Sequence, residues 1–404
     1  MIKTAILGYG TVGSGVVEVL QINRKSIARR AGREICVKYV LDLREFPGDP
    51  VEEFLVHDYD VILHDPEVSI VVETMGGVNP AYDFTKCALR AGKSVCTSNK
   101  ELVAQHGVEL MQIAADNHVN YMFEASCGGG IPIIRALNES LTADVIDGIT
   151  GILNGTTNYI LTKMTVEGSE FSSALAEAQA NGYAERNPEA DVEGYDACRK
   201  IAILSSVAYG SHVDFTDVYT EGITGISAAD IRYAAAMGRV IKLLAVSRKD
   251  GNTVTAKVAP FLIGKDDPLY AVNDVFNAVL VHGNVLGDAM FYGSGAGSLP
   301  TASAVAADVV ACAKNPHKNV AVPGTEEALK IVPHEETESC FFVRVAGNAA
   351  ERLSEIRFLF GDVETVSADS GEEDFGFVTG LIKEKEFAEK AAGLDGILNR
   401  IRVM

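Results

Sequence analysis

The run Ile2–Leu7 (IKTAIL) leads straight into Gly8, Tyr9, Gly10, Thr11, Val12 and Gly13, and then into Val16, Val17, Val19 and Leu20. A β-branched apolar run of that length suits a strand buried on both faces of a parallel sheet. The apolar residues behind the glycines recur at helical spacing. G-x-G-x-x-G between a strand and a helix restricts the architecture severely, because each glycine answers a separate steric demand. Gly8 permits the tight turn, Gly10 lets a pyrophosphate reach the backbone, and Gly13 allows the helix to pack closely on the sheet. Thr11 and Val12 open the helix, where unbonded amides face an anion. The pattern predicts a Rossmann-type, doubly wound dinucleotide-binding domain.

The following strands extend that expectation. Ile35–Leu41 reads as a second strand ending at Asp42, whose carboxylate would take the adenosine ribose hydroxyls and favour NAD. Arg44, two residues on, would instead meet a 2′-phosphate and favour NADP, so both cofactors stay open. Residues 70–73 read as another strand, followed by Thr74, Met75, Gly76 and Gly77; residues 93–96 read as a further one, followed by TSNKE (97–101). Loops at the carboxyl ends of such strands bind ligands. Thr74 and Lys100 are therefore candidates to reach the cofactor, with a solvated helix-start lysine as the plain alternative for Lys100.

Composition narrows the partners. The 404 residues carry 35 basic and 55 acidic side chains, a net charge of −20, which argues against nucleic acid or an anionic membrane. A phosphate-bearing cofactor must then be held by local dipoles and a few cations. Seven scattered cysteines without C-x-x-C suit a reducing compartment, and no apolar run approaches ~20 residues, so a cytoplasmic protein that spans no membrane is expected.

The second informative stretch is residues 182–200 (GYAERNPEADVEGYDACRK). Asn187 and Pro188 break regular structure, Asp191 sits where a helix start favours an acid, and Asp196 and Lys200 are four apart, on one helical face. Taken alone, such a pair is usually a surface salt bridge. Residues 154–158 (NGTTN) form a polar turn that would cap a helix from Tyr159.

Together with ETMGG (73–77), FEASCGGGIPII (123–134), GILNGTTNYIL (151–161) and GSGAGSLPTASAV (293–305), these segments make the chain resemble the homoserine dehydrogenase family over almost all of residues 1–320. The resemblance implies reduction of L-aspartate 4-semialdehyde to L-homoserine with NAD or NADP, on the route to threonine and methionine. It implies Lys200 as proton donor, Asp196 orienting the reacting group or a water, and Glu185 binding the substrate with Asp191 assisting. Lys100 would stand beside the nicotinamide, and Gly297 would lie in a late glycine loop that meets the cofactor. A monovalent cation, sodium, would be held by the Glu124 carboxylate and main-chain oxygens at Cys127, Gly129 and Ile131. A homodimer or homotetramer is implied as well.

Two other functions compete. Cys127 in its glycine-rich loop would serve as a thiolate nucleophile in a phosphorylating semialdehyde dehydrogenase, with His106 or His118 as base. A non-catalytic nucleotide-sensing regulator would keep Gly8, Gly10 and Gly13 but would have no use for Lys200 beside Asp196.

The expected organisation is α/β: a dinucleotide-binding domain over 1–130, completed by a helix near 300–315; an α+β catalytic and dimerisation domain with an open mixed sheet over 131–320; and a tail over 335–404. The tail reads βαββαβ and resembles an ACT regulatory domain, implying either L-threonine as effector or a purely oligomerising role. Gly347, Asn348 and Ala349 stand where such domains carry a different turn sequence.

Overall fold

The computed structural model describes residues 1–319, 329–369, 371 and 373–404. Residue 320, the anticipated end of the second segment, lies outside them. The chain divides into two compact units. The first comprises residues 1–145, 202–214 and the segment beginning at Gly293; the second comprises 146–201, 215–292 and the segment beginning at Leu329.

The first unit is built on β1 (Ile2–Leu7), β2 (Ile35–Leu41), β3 (Leu55–Val56), β4 (Val68–Glu73), β5 (Ser94–Thr97) and β6 (Tyr121–Met122). All neighbours are parallel, in the order β3-β2-β1-β4-β5-β6. This is the doubly wound order, and its switch point lies between β1 and β4, where the loops after Leu7 and Glu73 diverge. β1 is the middle strand: Ile6 pairs with Val40 on one side and Val72 on the other, and all three are fully buried. The helix Ser298–Lys314 adds Ala302, Val305 and Val309 to the core formed with Val16, Val17 and Leu20 of the helix Thr11–Ile22. These helices approach closely because Gly15 has no side chain; a Cβ there would meet Ser298 Oγ at 2.8 Å and Ala302 Cβ at 3.0 Å.

In the second unit lie β7 (Ile146–Ile152), β8 (Tyr219–Thr220), β9 (Arg239–Asp250), β10 (Thr253–Gly264), β11 (Phe276–Gly283), β12 (Gly287–Ser294), β13 (Lys330–Ile331), β14 (Glu338–Ala346), β15 (Glu364–Val366), β16 (Asp374–Val378), β17 (Ile382–Lys383) and β18 (Ile397–Val403). They form one mixed sheet with the main order β12-β11-β7-β9-β10-β18-β14-β16-β15. The long hairpin β9–β10 is its spine, turning at Gly251 in a left-handed conformation (φ 55°).

The tail runs β14, helix Ala349–Phe360, β15, β16, helix Glu384–Ala391, β18, with antiparallel order β18-β14-β16-β15. That is the split β-α-β-β-α-β arrangement. Its own core holds Phe341, Val343, Phe377 and Phe387. It nevertheless continues the larger sheet, because β18 pairs with β10 in parallel. A buried ion network reinforces the junction. Arg402, 2% exposed, donates to both oxygens of Glu384 (2.8 and 2.9 Å) and to Glu221 (2.8 Å), while Lys257 donates to Glu384 (3.0 Å).

Candidate active site

In the first unit, the carboxyl end of β1 forms a backbone cradle. Gly8 turns the chain at φ 91°, and Gly10 precedes the helix Thr11–Ile22 without any side-chain cap. The space in front of Gly10 is open, since a Cβ there would meet nothing within 4 Å. Gly13 is sterically obligatory: its Cβ would fall 1.9 Å from Gly8 O. Thr74 ties the end of β4 to this turn by donating from Oγ1 to Gly8 O (2.9 Å). Uncapped amides, an open approach and a close helix fit the pyrophosphate of a dinucleotide.

Asp42 and Arg44 stand together beside the cradle. Asp42 accepts from Tyr9 N (2.8 Å) and from Arg44 Nε (3.0 Å) and Nη2 (2.9 Å). The guanidinium beside it holds the Asp42 carboxyl well below the usual carboxylate range. Ser298 Oγ donates to Thr11 O (2.6 Å), which brings Gly297 (φ 116°), at the start of the helix Ser298–Lys314, next to the first turn of the glycine helix. Lys100 is the first residue of the helix Lys100–Asp116, behind Asn99, whose side chain accepts from Leu102 N (3.1 Å) and donates to Gly77 O (2.6 Å). Sequence reasoning missed Glu73 as a structural acid. Fully buried, it accepts from Met75 N (2.8 Å) and Thr97 Oγ1 (2.6 Å), joining two of the ligand-facing loops. Its signal was an acid closing an otherwise apolar strand.

In the second unit, Pro188 precedes the short helix Glu189–Val192, and Gly194 (φ 83°) turns the chain into the helix Tyr195–Tyr209. Asp196 and Lys200 face each other one turn apart, 2.6 Å between Nζ and Oδ2, with only 2% and 8% of each residue exposed. Lys200 Nζ also donates to Leu153 O (2.7 Å). The pair is therefore not the surface salt bridge that spacing alone favours. Asp191 joins the same cluster through Asn154, whose Nδ2 donates to Asp191 Oδ1 (2.7 Å) and Asp196 Oδ2 (2.9 Å). Burial, and then the charge of Asp196, push the Asp191 carboxyl up. The polar turn behaves differently from expectation: the helix runs Gly155–Glu167, beginning at Gly155 rather than Tyr159, because Asn154 itself is the cap. Glu185 is exposed on the turn before residue 188, outside the group that Asn154 gathers.

The glycine stretch 128–130 is explained by close approach. A Cβ on Gly129 would stand 2.5 Å from Gly295 O, and Gly130 N donates to Ser294 O (3.1 Å). The Glu124 carboxylate, expected beside a sodium ion, is already engaged by the backbone. It is 3% exposed, and its two oxygens accept from Ile134 N and Arg135 N, each at 2.8 Å. Glu124 N donates in turn to Asp308 Oδ2 (2.9 Å), and Arg135 pairs with Asp308 Oδ1. Burial, then the charge of Glu124, push Asp308 up to about 7 despite Arg135. Cys127 is wholly buried, His106 packs on Tyr82, and His118 ends a helix in a left-handed turn (φ 56°). Such a thiol is a poor nucleophile. A cavity of about 510 Å³ opens in the first unit, lined by Met111, Tyr121, Ile134, Ser206 and His212, none of them in the glycine cradle.

The chain is similar to known proteins along its length. Residues 8–124 match the family model described as the NAD binding domain of homoserine dehydrogenase, and residues 132–310 match the one described as homoserine dehydrogenase. The chain is 43% identical over 318 residues to a homoserine dehydrogenase of Bacillus subtilis, covering 78% of this chain and 73% of that one. It is 38% identical to that of Pseudomonas aeruginosa, covering 100% of this chain and 98% of that one. The crystal structure of a homoserine dehydrogenase from Thiobacillus denitrificans superposes with a TM-score of 0.93 at 37% identity, covering 100% of this chain and 98% of that one. The chain belongs to the homoserine dehydrogenase family of NAD(P)-dependent oxidoreductases.

Proposed function

We propose that the protein interconverts L-aspartate 4-semialdehyde and L-homoserine, with Lys200 as the proton donor to the carbonyl oxygen. The observation that carries this reading is the buried Asp196–Lys200 pair, with Nζ held at 2.6 Å from Asp196 and 2.7 Å from Leu153 O. When bound, the reduced dinucleotide supplies the hydride that converts the aldehyde carbon into an alcohol carbon. The oxygen then gains negative charge. An ammonium held by two fixed acceptors stabilises that charge and hands over a proton without first having to reorganise. Asp196 orients Lys200; Asp191 and Glu185 would receive the substrate ammonium; Lys100 would add positive charge near the nicotinamide.

Gly8, Gly10, Thr11, Val12, Gly13 and Thr74 would hold the pyrophosphate, with Gly297 beside them. Asp42 suits ribose hydroxyls and Arg44 a 2′-phosphate, so rates with NADH and NADPH separate their roles. The Glu124 carboxylate and main-chain oxygens at Cys127, Gly129 and Ile131 would offer the hard oxygens a sodium ion prefers, the same carboxylate also anchoring the helix beside them.

The same reading extends to setting and control. The protein would work in the cytoplasm as a homodimer or homotetramer. In support, β12 forms one end of the large sheet and exposes Met290 and Tyr292. The ACT-like tail would bind L-threonine at the turn of Gly347 (φ 98°) and Asn348. The test is to follow the near-ultraviolet absorbance of reduced nicotinamide with L-homoserine and a panel of other hydroxy acids. Oxidation confined to L-homoserine supports the proposal; equal rates across the panel overturn it.

A further inference from the structure

We propose that Asn154 is a positioning residue for proton transfer: its single amide group keeps the carboxylates of Asp191 and Asp196 side by side and so fixes the acceptor on which Lys200 rests. This rests on the reading of Lys200 as donor. Asn154 follows β7 directly and caps the helix Gly155–Glu167, with Oδ1 accepting from Thr157 N (2.9 Å) and Thr157 Oγ1 (3.0 Å). The backbone N–H of Thr157, which can only donate, settles which amide atom is the oxygen. The NH2 group is then aimed by the cap itself, one hydrogen to Asp191 Oδ1 (2.7 Å) and the other to Asp196 Oδ2 (2.9 Å).

Asp196 Oδ2 is the same oxygen that accepts from Lys200. The preceding residue, Leu153, gives Lys200 a further acceptor. Residues 153 and 154 thus hold the ammonium twice, once directly and once through Asp196. Capping alone does not call for asparagine, because serine or aspartate caps a helix as well. Only asparagine combines the capping oxygen with two donors. Two neighbouring carboxylates, Asp196 buried and Asp191 partly buried, repel each other. Burial and Asp196 push Asp191 up, and the hydrogen bond from Asn154 opposes them. The amide is therefore the neutral element that offsets their repulsion at close quarters.

Asn154→Asp is the sharpest test, since it keeps the size and the capping oxygen while replacing both donors with an acceptor. We expect kcat to fall by about 10- to 100-fold and the acid limb of its pH profile to move up by about one pH unit. The KM for the dinucleotide should stay put. A limb and a kcat equal to those of the unaltered enzyme would overturn the inference. Should that variant fail to fold, Asn154→Ser keeps a cap and adds no charge; its hydroxyl can donate to only one carboxylate, so the same shifts are expected, in smaller measure, and their absence refutes the proposal. Lys200→Met is run in parallel. If it retains turnover, the donor reading fails; if it is inactive while both Asn154 variants keep the normal limb, only the inference drawn here fails.

Discussion

The glycine cradle of the first unit and the acid–lysine cluster of the second are built on opposite plans. The cradle works by leaving side chains out: Gly8, Gly10 and Gly13 expose amides and permit contacts that any Cβ would block. The cluster works by bringing side chains in: buried Asn154, Asp196 and Lys200 and the half-buried Asp191 come from three elements and satisfy one another. Binding a phosphate needs only backbone dipoles, which every residue carries. Delivering a proton needs a titratable group held at one place, which requires neighbours.

Variants separate the two plans. The largest effect is expected from Lys200→Met, which should lower kcat by about 10³-fold and leave dinucleotide affinity, measured by nicotinamide fluorescence, within about twofold. A comparable loss of dinucleotide affinity would break the division. Next comes Gly13→Val, whose Cβ would fall 1.9 Å from Gly8 O. Overpacking of ~1–3 kcal/mol should weaken dinucleotide binding about 10- to 100-fold and lower the melting temperature. Unchanged binding by titration calorimetry would show that the cradle tolerates a side chain after all.

A pH series sharpens the contrast from the first unit's interior. Folded Asp308 keeps its proton up to about pH 7, whereas an unfolded aspartate loses it near 3.8. Between those values the folded state binds more protons, so this stabilisation is present at low pH and is lost as pH rises toward 7. Glu124, also pushed up by burial, contributes a slope of the same sign. Urea denaturation from pH 4 to pH 7 should therefore show a downward slope that Asp308→Asn makes shallower. An identical slope in the variant would remove Asp308 from the account. The smallest effect belongs to Arg44→Ala. Its side chain is 61% exposed and paired with Asp42, so the ratio of NADPH to NADH affinity should fall only about fivefold, in keeping with the ~1 kcal/mol of an exposed charge contact. A larger fall would make the arginine a true phosphate clamp.

Legibility followed the same line. Four strands of the first sheet, β1, β2, β4 and β5, could be read from sequence because they are short apolar runs, each ended by a turn signal or a polar loop; β3 and β6, two residues each, are too short to carry such a pattern. β9 was harder: Lys242 interrupts the apolar run VIKLLAV, yet it lies inside, donating to Asn158 Oδ1 (3.0 Å) and Asn273 Oδ1 (3.0 Å). Burial pushes that lysine down to about 8, an environment that no local pattern announces. The spacing of Asp196 and Lys200 was visible, but not their burial. Nothing local announced that two helix amides would turn toward the Glu124 carboxylate.

From its letters alone this chain determined a parallel nucleotide-binding sheet, because a strand, three spaced glycines and a helix satisfy one set of local steric rules. Tertiary structure decided which polar side chains would share a water-free space. Hydrogen bonds such as those of Asn154 join residues about 40 positions apart, and only the packing of distant segments sets which donors and acceptors lose water together.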